Sequence, residues 1–243
     1  MDAIAPDSIH ALSAAERAAI YKCIFTRRDV RSQFRPDPIP DAVLARILQA
    51  AHHAPSVGFM QPWDFILIRD AVVKQRLHAA FEAANAEAAG MFEGERQAAY
   101  RALKLQGILE APLGLCITCD RSRVGATVLG RTHQPEMDIY STVCAVQNLW
   151  LAARAEGIGV GWVSILSYQD LRAALGIPEG ILPIAFLCLG YVSEFLPAPE
   201  LESAGWRRRL PLNELVWFDR WQGRAAGNDL LPMLEESPLR SLK

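Results

Sequence analysis

The run "ILPIAFLCLGYV", Ile181 to Val192, constrains the fold of this chain more than any other stretch. Its twelve residues are too few to cross a bilayer as a helix, yet too apolar to stay in water. A strand enclosed in a folded core satisfies both limits. Three further stretches read as its partners: "PWDFILIRD", "LGLCITCD" and the segment that starts at "GIGVGW". A chain of 243 residues is long enough to bury such a set.

Helix signals lie between these strands. Ser13 and Glu16 have capping-box spacing and predict a helix through Ile20 and Ile24 that ends near Arg27. A second helix enters through Pro40 and Asp41, with Val43, Leu44, Ile47 and Leu48 on one face. From Ala71 to Ile108 the chain is alanine-rich, charged and helix-favouring, with breaks near Gly90 and Gly94. A long helix is predicted over Met137 to Glu156, and a short one over Asp170 to Leu175 before the turn Gly176 to Gly180. Helices alternating with strands predict one α/β or α+β domain. No repeat or low-complexity spacer divides it, so residues 1–243 are expected to form a single domain. The tail after Pro197 reads as irregular, although "ELVWFDRW" is too aromatic for a free linker.

Charge and cysteine usage exclude several functions. A formal net charge of -2 creates no global attraction to nucleic acid or to an anionic membrane. The opening "MDAIAPDSIH" lacks a basic segment followed by an apolar run, so a cytoplasmic protein is expected. Five cysteines scattered through apolar surroundings argue against a disulfide framework. Cys116 and Cys119 form a CxxC inside a strand, with no second pair or nearby histidine to complete a zinc set. Buried structural thiols are the expectation there, and no metal is expected.

Four groups of residues can carry chemistry. Arg27, Arg28 and Arg31 surround Asp29 just past a helix end. Arginine forks suit phosphate, but the segment lacks P-loop spacing, and a solvated surface run remains the plainer reading. In "HHAPSVGFMQPW", Ser56 and Gln61 can hydrogen-bond a planar, heteroatom-rich ligand, with Phe59, Met60 and Trp63 packed around it. The adjacent His52 and His53 lack metal-site spacing and read as a helix-end pair facing backbone and solvent. Arg207, Arg208 and Arg209 form a second basic cluster, able to meet the first around one phosphate. Nucleic acid would call for a longer basic stripe. The glycines of "GVGW" permit close approach by a ring or a helix, and Ser164 follows them without the GxSxG of a hydrolase elbow. Neither His133 nor Asp138 is spaced to complete a triad with a serine.

Together, "RRDVRSQF", "HHAPSVGFMQPWDFILI", "EAPLGLCITCD", "GVGWVSIL" and "WRRRLPLNELVWFDRW" resemble the BluB-type 5,6-dimethylbenzimidazole synthases. These are the flavin-consuming branch of the nitroreductase-like flavoproteins. The likeness runs from about Arg17 to Trp221. It implies an α+β sandwich with a central mixed, mainly antiparallel sheet surrounded by helices. It also implies a homodimer with flavin mononucleotide (FMN) at the subunit interface. By resemblance, Arg27, Arg28, Asp29, Val30 and Arg31 hold the flavin, with Ser56, Gln61, Pro62 and Ser164 and, from the late cluster, Arg207 and Arg209. Asp29 stands where many relatives carry serine or threonine. The resemblance makes it the general base, kept ionised by its arginines, and gives Ser164 an assisting role near the ring.

The implied reaction consumes reduced FMN and dioxygen as cosubstrates and releases 5,6-dimethylbenzimidazole, the lower ligand of vitamin B12, and erythrose 4-phosphate. NAD(P)H enters only indirectly, reducing FMN through a separate flavin reductase or a weak reductase step here. Residues 81–108 are expected as a helical lid, and 197–243 as an extended segment crossing the dimer interface. Two alternatives stand beside this reading: an NAD(P)H-dependent nitroreductase or flavin reductase, and a non-catalytic flavin-binding protein.

Overall fold

A computed structural model describes residues 11–223 and 230–235. The parts of the expected chain-wide domain and C-terminal segment at 1–10, 224–229 and 236–243 lie outside the described residues. The chain divides into two compact units, one spanning Arg27–Glu200 and the other combining the two ends, up to Thr26 and from Leu201.

The larger unit is built on four strands: β1 (Trp63–Ile68), β2 (Leu113–Asp120), β3 (Ile158–Val163) and β4 (Ile181–Tyr191). Their spatial order is β1-β2-β4-β3, and every neighbouring pair is antiparallel. The parallel component expected of a mixed sheet is confined to one isolated bridge, Asp29 to Val160. The helices of this unit are α2 (Asp41–His52), α3 (Ala71–Gly90), α4 (Gly94–Arg101), α5 (Met137–Ala155) and α6 (Tyr168–Leu175).

The two most apolar runs of the sequence become the two central strands, and strand periodicity explains why they are apolar throughout. Along β2, Leu113, Leu115 and Ile117 join Leu44 and Ile47 of α2 and Val146 and Leu149 of α5 in one core. Cys116 points the other way, to Leu77 and Phe81 of α3 and Leu171 of α6. β4 divides likewise, with Ala185, Leu187 and Leu189 on the α2/α5 side and Phe186 and Cys188 on the other. Alternate residues face opposite sides, so a strand covered on both faces must be apolar at nearly every position. The architecture is therefore an α+β sandwich with helices over both faces of the sheet.

The CxxC follows the same alternation. Cys116 and Cys119, three residues apart, point to opposite faces and cannot share a ligand. Both are buried, and no group of three metal-ligating side chains occurs among the described residues. Burial pushes the Cys116 thiol up to about 12. No helix among the described residues is long and apolar enough to cross a membrane.

Several ends form as the sequence dictates. α1 (Ala14–Thr26) opens on a reciprocal capping box, in which Ser13 N donates to Glu16 at 2.8 Å and Glu16 N to Ser13 Oγ at 3.3 Å. Asp70 caps α3 by accepting from Val72 N and Val73 N, and Ser167 caps α6 by accepting from Asp170 N. The break near Gly90 and Gly94 separates α3 from α4, and the resulting hairpin is stapled. Gln97 Nε2 donates to Ala89 O and Phe92 O, Tyr100 Oη donates to Asn85, and the Phe92 and Tyr100 rings stack 5.0 Å apart.

In the smaller unit, α1 buries none of its side chains. The tail after Pro197 is less irregular than expected, with short helical turns at α7 (Glu200–Ser203), Leu212–Glu214 and α8 (Leu230–Met233). Its aromatic stretch brings Trp217 and Trp221 to 6.0 Å, while Trp221 remains 80% exposed.

Candidate functional site

The arginine-rich segment completes the sheet. Val30 N donates to Val160 O at 3.0 Å, so the chain at Asp29–Val30 lies along the outer edge of β3. Glycine makes this approach possible. A Cβ on Gly161 would stand 2.0 Å from the Val30 carbonyl oxygen, and one on Gly159 would stand 2.4 Å from Val192. The close approach expected at "GVGW" is thus made by this segment, rather than by a ring or a helix.

The docked segment fixes Asp29. Trp162 N donates to its Oδ1 at 2.9 Å, and Arg31 Nη2 donates to its Oδ2 at 2.8 Å. Ser164 lies exposed just beyond the end of β3, two residues after Trp162. Asp29 thus lies along β3, and Ser164 follows the end of the same strand.

The electrostatics correct one expectation. Burial raises the Asp29 carboxyl above its ordinary value, against the opposing pull of Arg31, the Trp162 amide and Arg27. The arginines favour the charged form, but desolvation outweighs them, so the net shift is upward. The side chain still keeps 35% of its exposure, so the carboxyl remains open to proton exchange.

The three early arginines do different work. The Arg27 guanidinium lies 5.1 Å over the Trp150 ring, and Trp150 Nε1 donates to Arg28 O. Arg28 donates to Leu196 O at 2.8 Å and to Pro197 O at 2.5 Å. Arg31 is buried against Asp29. Arg28 and Arg31 are thus engaged within the chain, where the sequence suggested a shared phosphate cluster.

A second cluster lies elsewhere on the same unit. Ser56 Oγ accepts from Gln61 N at 3.1 Å, Val57 N donates to Ser141 Oγ at 3.0 Å, and the buried Pro62 accepts from Asp120 N. Gly58, Phe59 and Gln61 all have positive φ, at 53°, 53° and 47°. For the two non-glycine residues this costs about 1–3 kcal/mol each, a pattern concentrated at functional sites. Phe59 is 81% exposed at the tip. Arg123 braces the base of the loop through Gln61 O and Trp63 O at 2.8 Å and the Asp64 carboxylate at 2.6 Å. Of the two histidines, His53 bonds backbone at Gln49 O as expected, whereas His52 Nδ1 accepts from Trp63 Nε1 at 3.1 Å.

These clusters are not adjacent within one chain. Ser56, Gln61 and Pro62 sit at the entry of β1, and Asp29, Val30 and Ser164 at β3, the opposite edge of the sheet. Three strand spacings amount to about 14 Å. α5 gives the same measure, since it contacts one cluster through Ser141 and the other through Trp150, about 14 Å apart along its axis. Arg207 and Arg209 are exposed in the smaller unit, with Arg209 N donating to Glu202 Oε1. Sequence reasoning missed Ser141, Trp150 and Arg123, because nothing local marks a helix residue or a loop arginine as the brace of a distant segment.

A model of the nitroreductase family matches residues 24–191, most of the larger unit. The chain belongs to the nitroreductase family. Within it, the chain is 46% identical over 185 residues to the 5,6-dimethylbenzimidazole synthase of Rhodospirillum rubrum, covering 76% of this chain and 87% of that one. It is 41% identical over 196 residues to a 5,6-dimethylbenzimidazole synthase of Rhodobacter capsulatus, covering 80% and 94%. The resemblance drawn from the five motifs is borne out. Among solved structures, iodotyrosine deiodinase bound to FMN and 3-iodo-L-tyrosine aligns with a TM-score of 0.66 at 20% identity, covering 83% of this chain and all of that one. At that identity the likeness shows the nitroreductase fold, in agreement with the sandwich described above.

Proposed function

We propose that this nitroreductase-family protein is a 5,6-dimethylbenzimidazole synthase, which fragments reduced FMN with dioxygen to the benzimidazole and erythrose 4-phosphate. The observation that carries the reading is a partly exposed aspartate docked on the edge of β3, in a chain 46% identical to a synthase of that name. FMN and dioxygen are cosubstrates, and NAD(P)H acts indirectly, upstream of FMN reduction. FMN supplies the oxygen chemistry when bound, and the protein's share is binding, orientation and proton transfer. Asp29 takes a proton from the reacting carbon, held in place by the Trp162 amide and Arg31. Ser164 hydrogen-bonds near the ring.

The donor set fits a flavin. It offers a guanidinium at Arg27, backbone at Val30, hydroxyls at Ser56 and Ser164 and the amide of Gln61, with Arg207 and Arg209 in the late segment. Because the Ser56 and Asp29 clusters occupy opposite sheet edges, we propose a homodimer in which each flavin meets Asp29 and Ser164 of one copy and Ser56, Gln61 and Pro62 of the other. The segment 197–243 crosses that interface. Residues 81–108, which include the stapled end of the α3–α4 hairpin, cover the flavin and exclude water from the reaction. The protein works in the cytoplasm.

Incubation with chemically reduced FMN under air, followed by mass spectrometry, tests the function. A protein-dependent 5,6-dimethylbenzimidazole peak is expected. Clean return to oxidised FMN despite binding would transfer the assignment to a nitroreductase, a flavin reductase or a passive flavin carrier. Limited proteolysis with and without FMN tests the hairpin: its cleavage should slow on binding.

A further inference from the structure

Two of the early arginines converge on one short segment after β4. Arg28 ties down its backbone at Leu196 and Pro197, and Arg31 faces the side chain of Glu200. Arg31 therefore lies between two carboxyls. Its Nη2 is 2.8 Å from Asp29 Oδ2, and its Nη1 is 3.6 Å from Glu200 Oε2. A guanidinium is planar and rigid, so the two nitrogens address the two carboxyls as parts of one body. Movement toward one withdraws it from the other.

Glu200 Oε2 is enclosed and has no hydrogen-bond partner among the described residues. At 3.6 Å it attracts Arg31 without a hydrogen bond to lock it. Leaving an enclosed carboxyl oxygen unsatisfied is costly, so the arrangement calls for a reason beyond stability.

We infer that Glu200 is a positioning residue, which shares Arg31 with Asp29 and thereby sets how strongly the guanidinium holds the Asp29 carboxyl. The inference rests on the reading of Asp29 as the base of the proposed reaction. An arginine committed wholly to Asp29 would make it a strong acid and a poor base. Divided between two carboxyls, Arg31 keeps Asp29 oriented while leaving it able to accept a proton. The other groups facing Asp29 fit that balance. Arg27 and Arg31 come from its own segment, the Trp162 amide from β3, and the buried Cys188 thiol from β4. Cys188 is pushed up to about 12 by burial and stays neutral at working pH.

The test is a titration of the Asp29 carboxyl in the ligand-free protein, followed by 13C NMR and assigned with Asp29→Asn. Glu200→Gln keeps the shape and removes the charge, while the Arg28 bonds hold the segment in place. The Asp29 midpoint should fall by about one pH unit, because a negative charge is removed and Arg31 is left undivided. Glu200→Asp, which keeps the charge, should remain near the wild-type midpoint. With reduced FMN under air, the acidic limb of the product-formation profile should shift in Glu200→Gln by the same amount and in the same direction. An unmoved midpoint in a folded Glu200→Gln protein overturns the inference, as does an equal fall in Glu200→Asp. Absence of benzimidazole from the wild-type protein would overturn the reaction, whereas the carboxyl titration decides the role of Glu200 independently.

Discussion

The two compact units handle apolar surface in opposite ways. In Arg27–Glu200, both faces of one sheet are covered, and the central strands expose almost nothing. In the unit formed by the two ends, α1 buries no side chain. Ile20, Tyr21, Leu210, Leu212, Leu215 and Trp221 are each between 47% and 80% exposed. The larger unit carries its own hydrophobic core. The smaller one contributes no residue to either core cluster, and its exposed apolar side chains add to those of the larger unit, such as Phe59 and Leu129. That difference separates residues that hold the fold from residues that can complete the proposed homodimer.

The largest effect belongs inside the larger unit. Asp29→Asn should reduce benzimidazole formation by about 100-fold or more while FMN still binds. Unchanged product formation would remove Asp29 from the chemistry. Next comes the core. Leu149→Ala, at a fully buried position on α5, should cost about 3 kcal/mol in chemical denaturation. The same truncation at Trp221 should cost the subunit itself under about 0.5 kcal/mol. Its effect should instead be on self-association, weakened about tenfold in sedimentation equilibrium. A large loss of subunit stability from Trp221→Ala would erase the contrast between the units.

Gly161→Ala tests the join between strand and site. The added methyl meets the Val30 carbonyl, so the segment must shift, at a cost of about 1–3 kcal/mol. Asp29 should shift with it, and product formation should fall together with stability. A variant that lost stability alone would show that the position of Asp29 does not depend on this contact.

The smallest effect is the pH dependence of stability. Because the Asp29 carboxyl is raised in the folded protein, its neutral form favours folding, fully so below the unfolded value of 3.8. That contribution is lost as pH climbs through the raised folded value. In thermal melts, Asp29→Asn should therefore gain on the wild type as pH rises from 3.8 through the raised folded value. A gain confined to the acid side would reverse the sign and restore the picture of arginines holding the carboxyl ionised. The expected sign would make Asp29 a residue kept for chemistry at some expense to the fold.

Much of this was legible in the order of residues. Apolar runs located all four strands, Ser13 and Glu16 located a helix start, and Gly90 and Gly94 located the hairpin break. These signals are local, carried by side-chain period and by caps within a few residues of one another. The "GVGW" glycines signalled a close approach, but not its partner. Val30 lies far away in sequence and meets them only because the segment caps the edge of β3. The arginines misled for the same reason. Three guanidinium groups in five residues suggest a bound anion, but the carbonyls of Leu196 and Pro197 that take up Arg28 come from the far side of β4.

By itself, then, the sequence determined the elements, the two central strands and, through five ordered motifs, the nitroreductase-family membership. The tertiary structure decided which candidate residues share a place. It set Asp29 on the edge of β3 and put Ser56 near β1, at the opposite edge of the sheet. It also reversed the sign of the effect on the Asp29 carboxyl and placed Glu200 across Arg31. Chain order records hydrophobic period and capping because these act over a few residues. Proton affinity and charge sharing act through space, and their strength depends on desolvation and distance, which exist only once the chain has folded.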